Sequence, residues 1–170
     1  PALRRDLVVR LAMRFYIETL GCPKNTVDSE MIATLLEEAG HRAVQHPRQA
    51  DILIVNTCGF IQDAREESYQ ALAKWAKRKR RGQKVIAAGC LAQREGAEIF
   101  RRLPEIDALI GARNWNEIVS LCEQIAEGAT HLDWVRPEGA LIASVRRRTL
   151  LGRTAYLKVA DGCDAACAFC

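Results

Sequence analysis

No apolar run in the chain approaches the roughly 20 residues that a membrane-spanning helix needs. Arginines also interrupt the first 13 residues, where a signal-peptide core would have to sit. The expectation is therefore a soluble, cytoplasmic protein without membrane contact. Internal repeats and low-complexity segments are missing too, which sets aside fibrous and disordered classes. Histidine is scarce: His41, His46 and His131 fall in loop-like positions, and no partner spacing gives them a catalytic role. Charge of one sign is not in large excess, the formal net charge being +4. Its visible bias comes from local runs, Lys77 to Arg81 and Arg146 to Arg148. Such runs are compatible with an RNA contact, and equally with a solvated basic helix end that suits the helix dipole.

Cysteine, by contrast, is plentiful. Seven cysteines, an odd count, in a chain of 170 residues without a secretion signal argue against a disulfide framework. They argue for reduced thiols that bind metal or react. With 49% apolar residues the chain can bury one domain and begin a second.

Hydrophobic patterning divides the chain. Pro1 to Met13 reads as an extension that contributes little to the fold. Phe15 to Leu20 is a β-prone run, broken by Gly21-Cys22-Pro23 and followed by Met31, Ile32, Leu35 and Leu36 at helical spacing. After Gly40, residues 41–45 form a short second strand. Asp51 to Asn56 and Lys84 to Ala88 are continuous apolar runs, the mark of strands buried on both faces. Helices are expected from near Asp63 to Arg80 and through Arg102. A further strand, Ala108 to Gly111, and a helix, Trp115 to Ala126, follow. Strands alternating with helices of this length imply right-handed crossovers and a parallel sheet. The expected fold is α/β, doubly wound and flavodoxin-like with helices on both faces, over residues 14–126. Residues 127–153, with Pro137 and a triple arginine, read as a linker. Residues 154–170 begin a second unit with a strand at Ala155 to Ala160.

Cys22, Cys58 and Cys90 each directly follow a predicted strand and precede a helix. In an open parallel sheet all strand carboxyl ends lie along one edge, where ligands bind. Three thiolates converging there make a site for a soft metal. A four-iron cluster normally takes four cysteines, so three would leave one iron open to substrate or exogenous sulfur. The competing reading is three small buried residues in tight turns. Cys122, inside an apolar helix face, reads as core. The second set is compact: Cys163, Cys167 and Cys170 stand at CxxxCxxC spacing, a loop able to wrap one corner of a cluster. A zinc knuckle would need a fourth ligand. Asn25, Asp28, Ser29 and Glu30 read mainly as helix-capping residues, or as groups that orient a cluster. Asn56 and Thr57 either hydrogen-bond a cluster or close the strand end.

The CxxxCxxC spacing with Phe169 before the last cysteine resembles the signature of radical S-adenosylmethionine enzymes. Ala155 to Gly162, with Gly21-Cys22, Asn56-Thr57-Cys58 and Gly89-Cys90, resembles their methylthiotransferase branch. Within it, Gly21-Cys22-Pro23-Lys24-Asn25 and Val27-Asp28-Ser29-Glu30 are similar to the RimO type. The resemblance implies two 4Fe-4S clusters, an auxiliary one on Cys22, Cys58 and Cys90 and a radical one on Cys163, Cys167 and Cys170. It also implies S-adenosylmethionine as cofactor, cleaved to a radical that abstracts hydrogen from the β-carbon of an aspartate in a small-subunit ribosomal protein. Sulfur at the auxiliary cluster and a methyl group would complete the methylthio group. A reductant and a sulfur source are the further partners expected. The alternatives are a tRNA methylthiotransferase of the MiaB type, and a metal- or RNA-binding module without chemistry. The residues that grip S-adenosylmethionine in such enzymes are expected beyond Cys170, so the chain alone is expected not to turn over.

Overall fold

The computed structural model describes residues 12–137, 147, 154–160 and 165–168. Six strands form one parallel sheet: β1 (Arg14–Thr19), β2 (Arg42–Ala43), β3 (Ile52–Thr57), β4 (Lys84–Gly89), β5 (Ala108–Gly111) and β6 (Leu132–Trp134). The crossovers carry α1 (Pro23–Glu38), α2 (Gln62–Arg78), α3 (Cys90–Arg102) and α4 (Ile118–Ala126). Strand order is β2-β1-β3-β4-β5-β6. The order reverses between β1 and β3, and a doubly wound sheet opens its ligand crevice at such a switch point. The α/β, flavodoxin-like expectation holds.

The two continuous apolar runs become the central strands. Every residue of β3 is buried, including Asn56 and Thr57 at its carboxyl end. Alternate residues feed two cores. Ile52, Ile54, Ile86 and Ile110 pack with Ile32 and Leu36 of α1 and Leu121 and Ile125 of α4. Leu53, Val55, Val85 and Leu109 pack with Leu72 of α2 and Leu91 and Ile99 of α3. Burying such a side chain stabilises the fold by about 1.5–3 kcal/mol. No helix among the described residues is long and apolar enough to cross a membrane.

Two features differ from the sequence pattern. Strand β6 pairs in parallel with β5 inside the 127–153 stretch read as linker. Its three residues are too few to show a period, and Gly128 and Pro137 flank them. Residues 154–160, expected to be a strand, are extended without ladder pairing, and Leu157 and Val159 are exposed. A strand needs a neighbour to complete its hydrogen bonds, and none is paired with this segment among the described residues. The expected extension Pro1 to Met13 lies almost wholly outside the described residues. Met13, its last residue, packs against the core and its amide donates to His41 Nδ1 at 3.3 Å.

Candidate metal centre

Register brings the first three cysteines to one edge. Thr19 of β1 pairs with Asn56 of β3, and Thr57 pairs with Gly89 of β4. Cys58 and Cys90 thus follow paired residues on adjacent strands, which run about 4.8 Å apart. Cys22 follows β1 across the switch point.

Glycine backbones let the three loops touch. Gly21, at φ +85°, lies so close to Cys58 that a Cβ there would stand 2.5 Å from Cys58 Cβ and 2.8 Å from its Sγ. A Cβ on Gly59 would meet Leu91 Cα and amide nitrogen at 3.1 Å and the Cys90 carbonyl carbon at 3.3 Å. The Cys22 loop therefore rests on Cys58, and the Cys58 loop rests on the start of α3.

The local electrostatics fit an anionic ligand. Cys22 is the N-cap of α1 and Cys90 the first residue of α3. Helix N-termini present free backbone N–H groups and the positive end of the dipole. Burial pushes the Cys90 thiol up, with Cys58, Asp28 and Cys22 acting the same way and the Lys24 cation acting against them. These side chains therefore sense one another. Cys22 is exposed, Cys58 buried and Cys90 between the two. The donor chemistry suits a thiolate-held soft metal. The sulfurs are not drawn into a closed ligand set: no group of three His, Cys, Asp or Glu among the described residues stands ready to hold a metal ion.

A buried polar network fixes this edge. Asn25 Nδ2 donates to the carbonyls of Leu20 at 2.7 Å and Thr57 at 3.1 Å. Asn56 Nδ2 donates to the Asn25 carbonyl and to Ser29 Oγ, both at 2.9 Å. Thr19 Oγ1 donates to Ser29 Oγ at 2.7 Å, and Thr57 Oγ1 donates to the Ala88 carbonyl. The capping expectation for Asn25, Asp28, Ser29 and Glu30 is thus corrected: α1 has no side-chain cap bond. Its first residues instead tie the ends of β1 and β3 together. Asn56 and Thr57 close the strand ends.

Ser68 was invisible to sequence reasoning. From α2 it accepts a hydrogen bond from the Cys58 amide at 3.0 Å and donates to the Cys58 carbonyl at 2.9 Å. It is buried in α2 with Tyr69, Ala71 and Leu72, and a single serine among them carries no spacing signal. Arg94 likewise donates to the Gly59 carbonyl at 2.5 Å.

Of the second cysteine set, Cys167 is described and exposed. Cys163 and Cys170 lie outside the described residues. The basic run Lys77 to Arg81 closes α2 at the edge opposite the cysteines. There Lys79 pairs with Asp107 at 2.8 Å and Arg80 donates to the Ala50 carbonyl at 3.1 Å. Part of that charge is structural.

Residues 14–111 match the family described as Uncharacterized protein family UPF0004. The chain is 45% identical over 165 residues to ribosomal protein uS12 methylthiotransferase RimO of Anaeromyxobacter sp. (strain K), covering 94% of this chain and 34% of that protein. It is 42% identical over 156 residues to the protein of the same name from Thermoanaerobacter sp. (strain X514), covering 91% and 36%. With the same-named protein of Roseiflexus sp. (strain RS-1) identity is 39% over 180 residues, covering 93% and 38%. The chain thus spans about a third of the length of these curated relatives.

Proposed function

Since the chain belongs to the Uncharacterized protein family UPF0004 and resembles RimO-type methylthiotransferases over most of its length, we propose that it is the amino-terminal part of an enzyme adding a methylthio group to the β-carbon of an aspartate in ribosomal protein uS12. The observation that carries this reading is the set of three cysteines on touching loops at the ends of β1, β3 and β4. Cys22, Cys58 and Cys90 would hold an auxiliary 4Fe-4S cluster, and Cys163, Cys167 and Cys170 a second one that binds S-adenosylmethionine. When bound, these groups supply the radical chemistry and the sulfur atom.

The chain's own residues prepare that edge. Thiols must lose their protons to ligate. At Cys90 burial holds the thiol up and the Lys24 cation acts against it, so the bound group itself would have to displace that proton. Ser68 fixes the backbone of Cys58, and the Asn25, Asn56 and Ser29 network holds the strand ends rigid. A rigid rim keeps the ligand positions set before metal arrives. The reaction also requires a reductant and a sulfur source. The 170-residue chain alone does not turn over on this reading.

A chimera tests the proposal. Residues 14–160 of this chain replace the matching segment of a full-length RimO, and uS12 and tRNA are analysed by mass spectrometry after incubation. The expected product is uS12 carrying one methylthio group, lost when Cys22, Cys58 or Cys90 is alanine. A methylthio group on tRNA in its place overturns the substrate assignment.

A further inference from the structure

Asp28 and Glu30 are carboxylates of α1, the helix that Cys22 opens, and they are only 6% and 1% exposed. Carboxylates are seldom buried without partners. Both have cations from the far end of the chain. Lys158 Nζ stands 2.7 Å from Asp28 Oδ1, 130 residues away in sequence. Arg147 Nε stands 3.1 Å from Glu30 Oε2. The cationic side chains are themselves largely covered, at 11% for Lys158 and 18% for Arg147. The Arg147 guanidinium also donates to the Tyr156 carbonyl, so it bridges α1 and the backbone of residues 154–160. Pro23, Lys24 and Val27 face that segment across a common cleft.

The geometry points to a two-point latch, Lys158 on Asp28 and Arg147 on Glu30, that sets how the segment leading into the CxxxCxxC cysteines approaches the Cys22 edge. The latch is close to both cysteine sets along the chain. Asp28 lies six residues past Cys22 on one helix, about 9 Å along its axis. Cys163 lies five residues past Lys158 in the sequence. An exposed ion pair would contribute little to such a tie. A covered one is different, because losing one partner strands the other as an uncompensated charge. Asp28, Glu30, Arg147 and Lys158 are therefore positioning residues. The inference rests on the proposed role of the two cysteine sets, yet its measurements need no metal.

In the metal-free 170-residue chain, zero-length carbodiimide coupling followed by peptide mass spectrometry is expected to join Lys158 to Asp28. Coupling of Lys79 or Lys84 to Asp107 reports the native fold in the same digest. Nitroxides on Cys22 and Cys167, with Cys58, Cys90, Cys163 and Cys170 replaced by serine, report placement; buried Cys122 stays unlabelled. The expected parent distance distribution is narrow. Arg147→Ala and Glu30→Gln should broaden it at least twofold and lower the Lys158–Asp28 product several-fold, with the Asp107 products intact. Arg147→Lys should keep both readouts near parental. Absence of the Lys158–Asp28 product in the parent, or an unchanged distribution in both latch-breaking variants, overturns the latch. Failure of the cluster reading would instead appear as iron binding indifferent to Cys22, Cys58 and Cys90, with these coupling products unaffected.

Discussion

Ser68 and Cys122 show two opposite ways of setting the surroundings of a cysteine. The Ser68 hydroxyl is the partner of both backbone groups of Cys58, and it is fully buried. Ser68→Ala leaves a buried donor and acceptor behind, a loss of about 1–3 kcal/mol, read as a lower urea midpoint. An unchanged midpoint would mean the hydroxyl does not hold that loop. Cys122 faces the apolar core under α4, where burial pushes its thiol up to about 12. Because the native state keeps that proton longer than the unfolded chain, the associated stability is full below the ordinary value of 9.0 and is lost as pH rises toward about 12. Tyr69, also pushed up to about 12 by burial and by Glu95, acts with the same sign. Cys122→Val is therefore expected to flatten the decline of stability above pH 9, measured by denaturant unfolding across that range. The parental slope in the variant would contradict the assignment. Cys122 as core was legible from its apolar helix face, whereas Ser68 was not: a lone serine carries no spacing signal, and its role exists only once α2 packs over the end of β3.

At the scale of elements, the continuous apolar runs at Ile52 to Val55 and Val85 to Ala88 announced β3 and β4, because strands buried on both faces need no alternation. Helix ends came out within a few residues for the same reason that the helices form, an apolar stripe at 3.6 spacing. Strand β6 was illegible, since three half-buried residues present no period and its pairing depends on the exposed edge of β5. The role of Asp107 was equally hidden. Just before β5, its carboxylate accepts from the Val85 amide at 2.8 Å and pairs with Lys79 at 2.8 Å and Lys84 at 3.1 Å. One side chain thereby ties β5 to β4 and to the end of α2. Asp107→Ala is expected to cost about 3 kcal/mol, and Asp107→Asn less, since the amide oxygen still accepts from Val85. Equal midpoints for the two variants in chemical denaturation would show that the Val85 bond contributes nothing.

For the whole molecule, the parallel winding carries the functional consequence. Reversal of strand order between β1 and β3 opens the edge where Cys22, Cys58 and Cys90 end their strands, while the basic end of α2 falls on the opposite edge. That the three cysteines share an edge was readable from their common strand-to-helix position. The glycine contacts that bring their loops together arise only from folding across some thirty to forty residues, and the covered ion pairs from Lys158 and Arg147 only from folding across more than a hundred. Whether this edge holds the proposed cluster is decided by anaerobic reconstitution. Iron and sulfide are counted per chain, with paired Mössbauer spectra, for the parent and for a Cys22→Ala, Cys58→Ala, Cys90→Ala triple variant. The expected result is a loss of about four irons per chain in the variant, one four-iron cluster. A variant that retains as much cluster iron as the parent would contradict the claim, and the strand-end cysteines would then not be ligands.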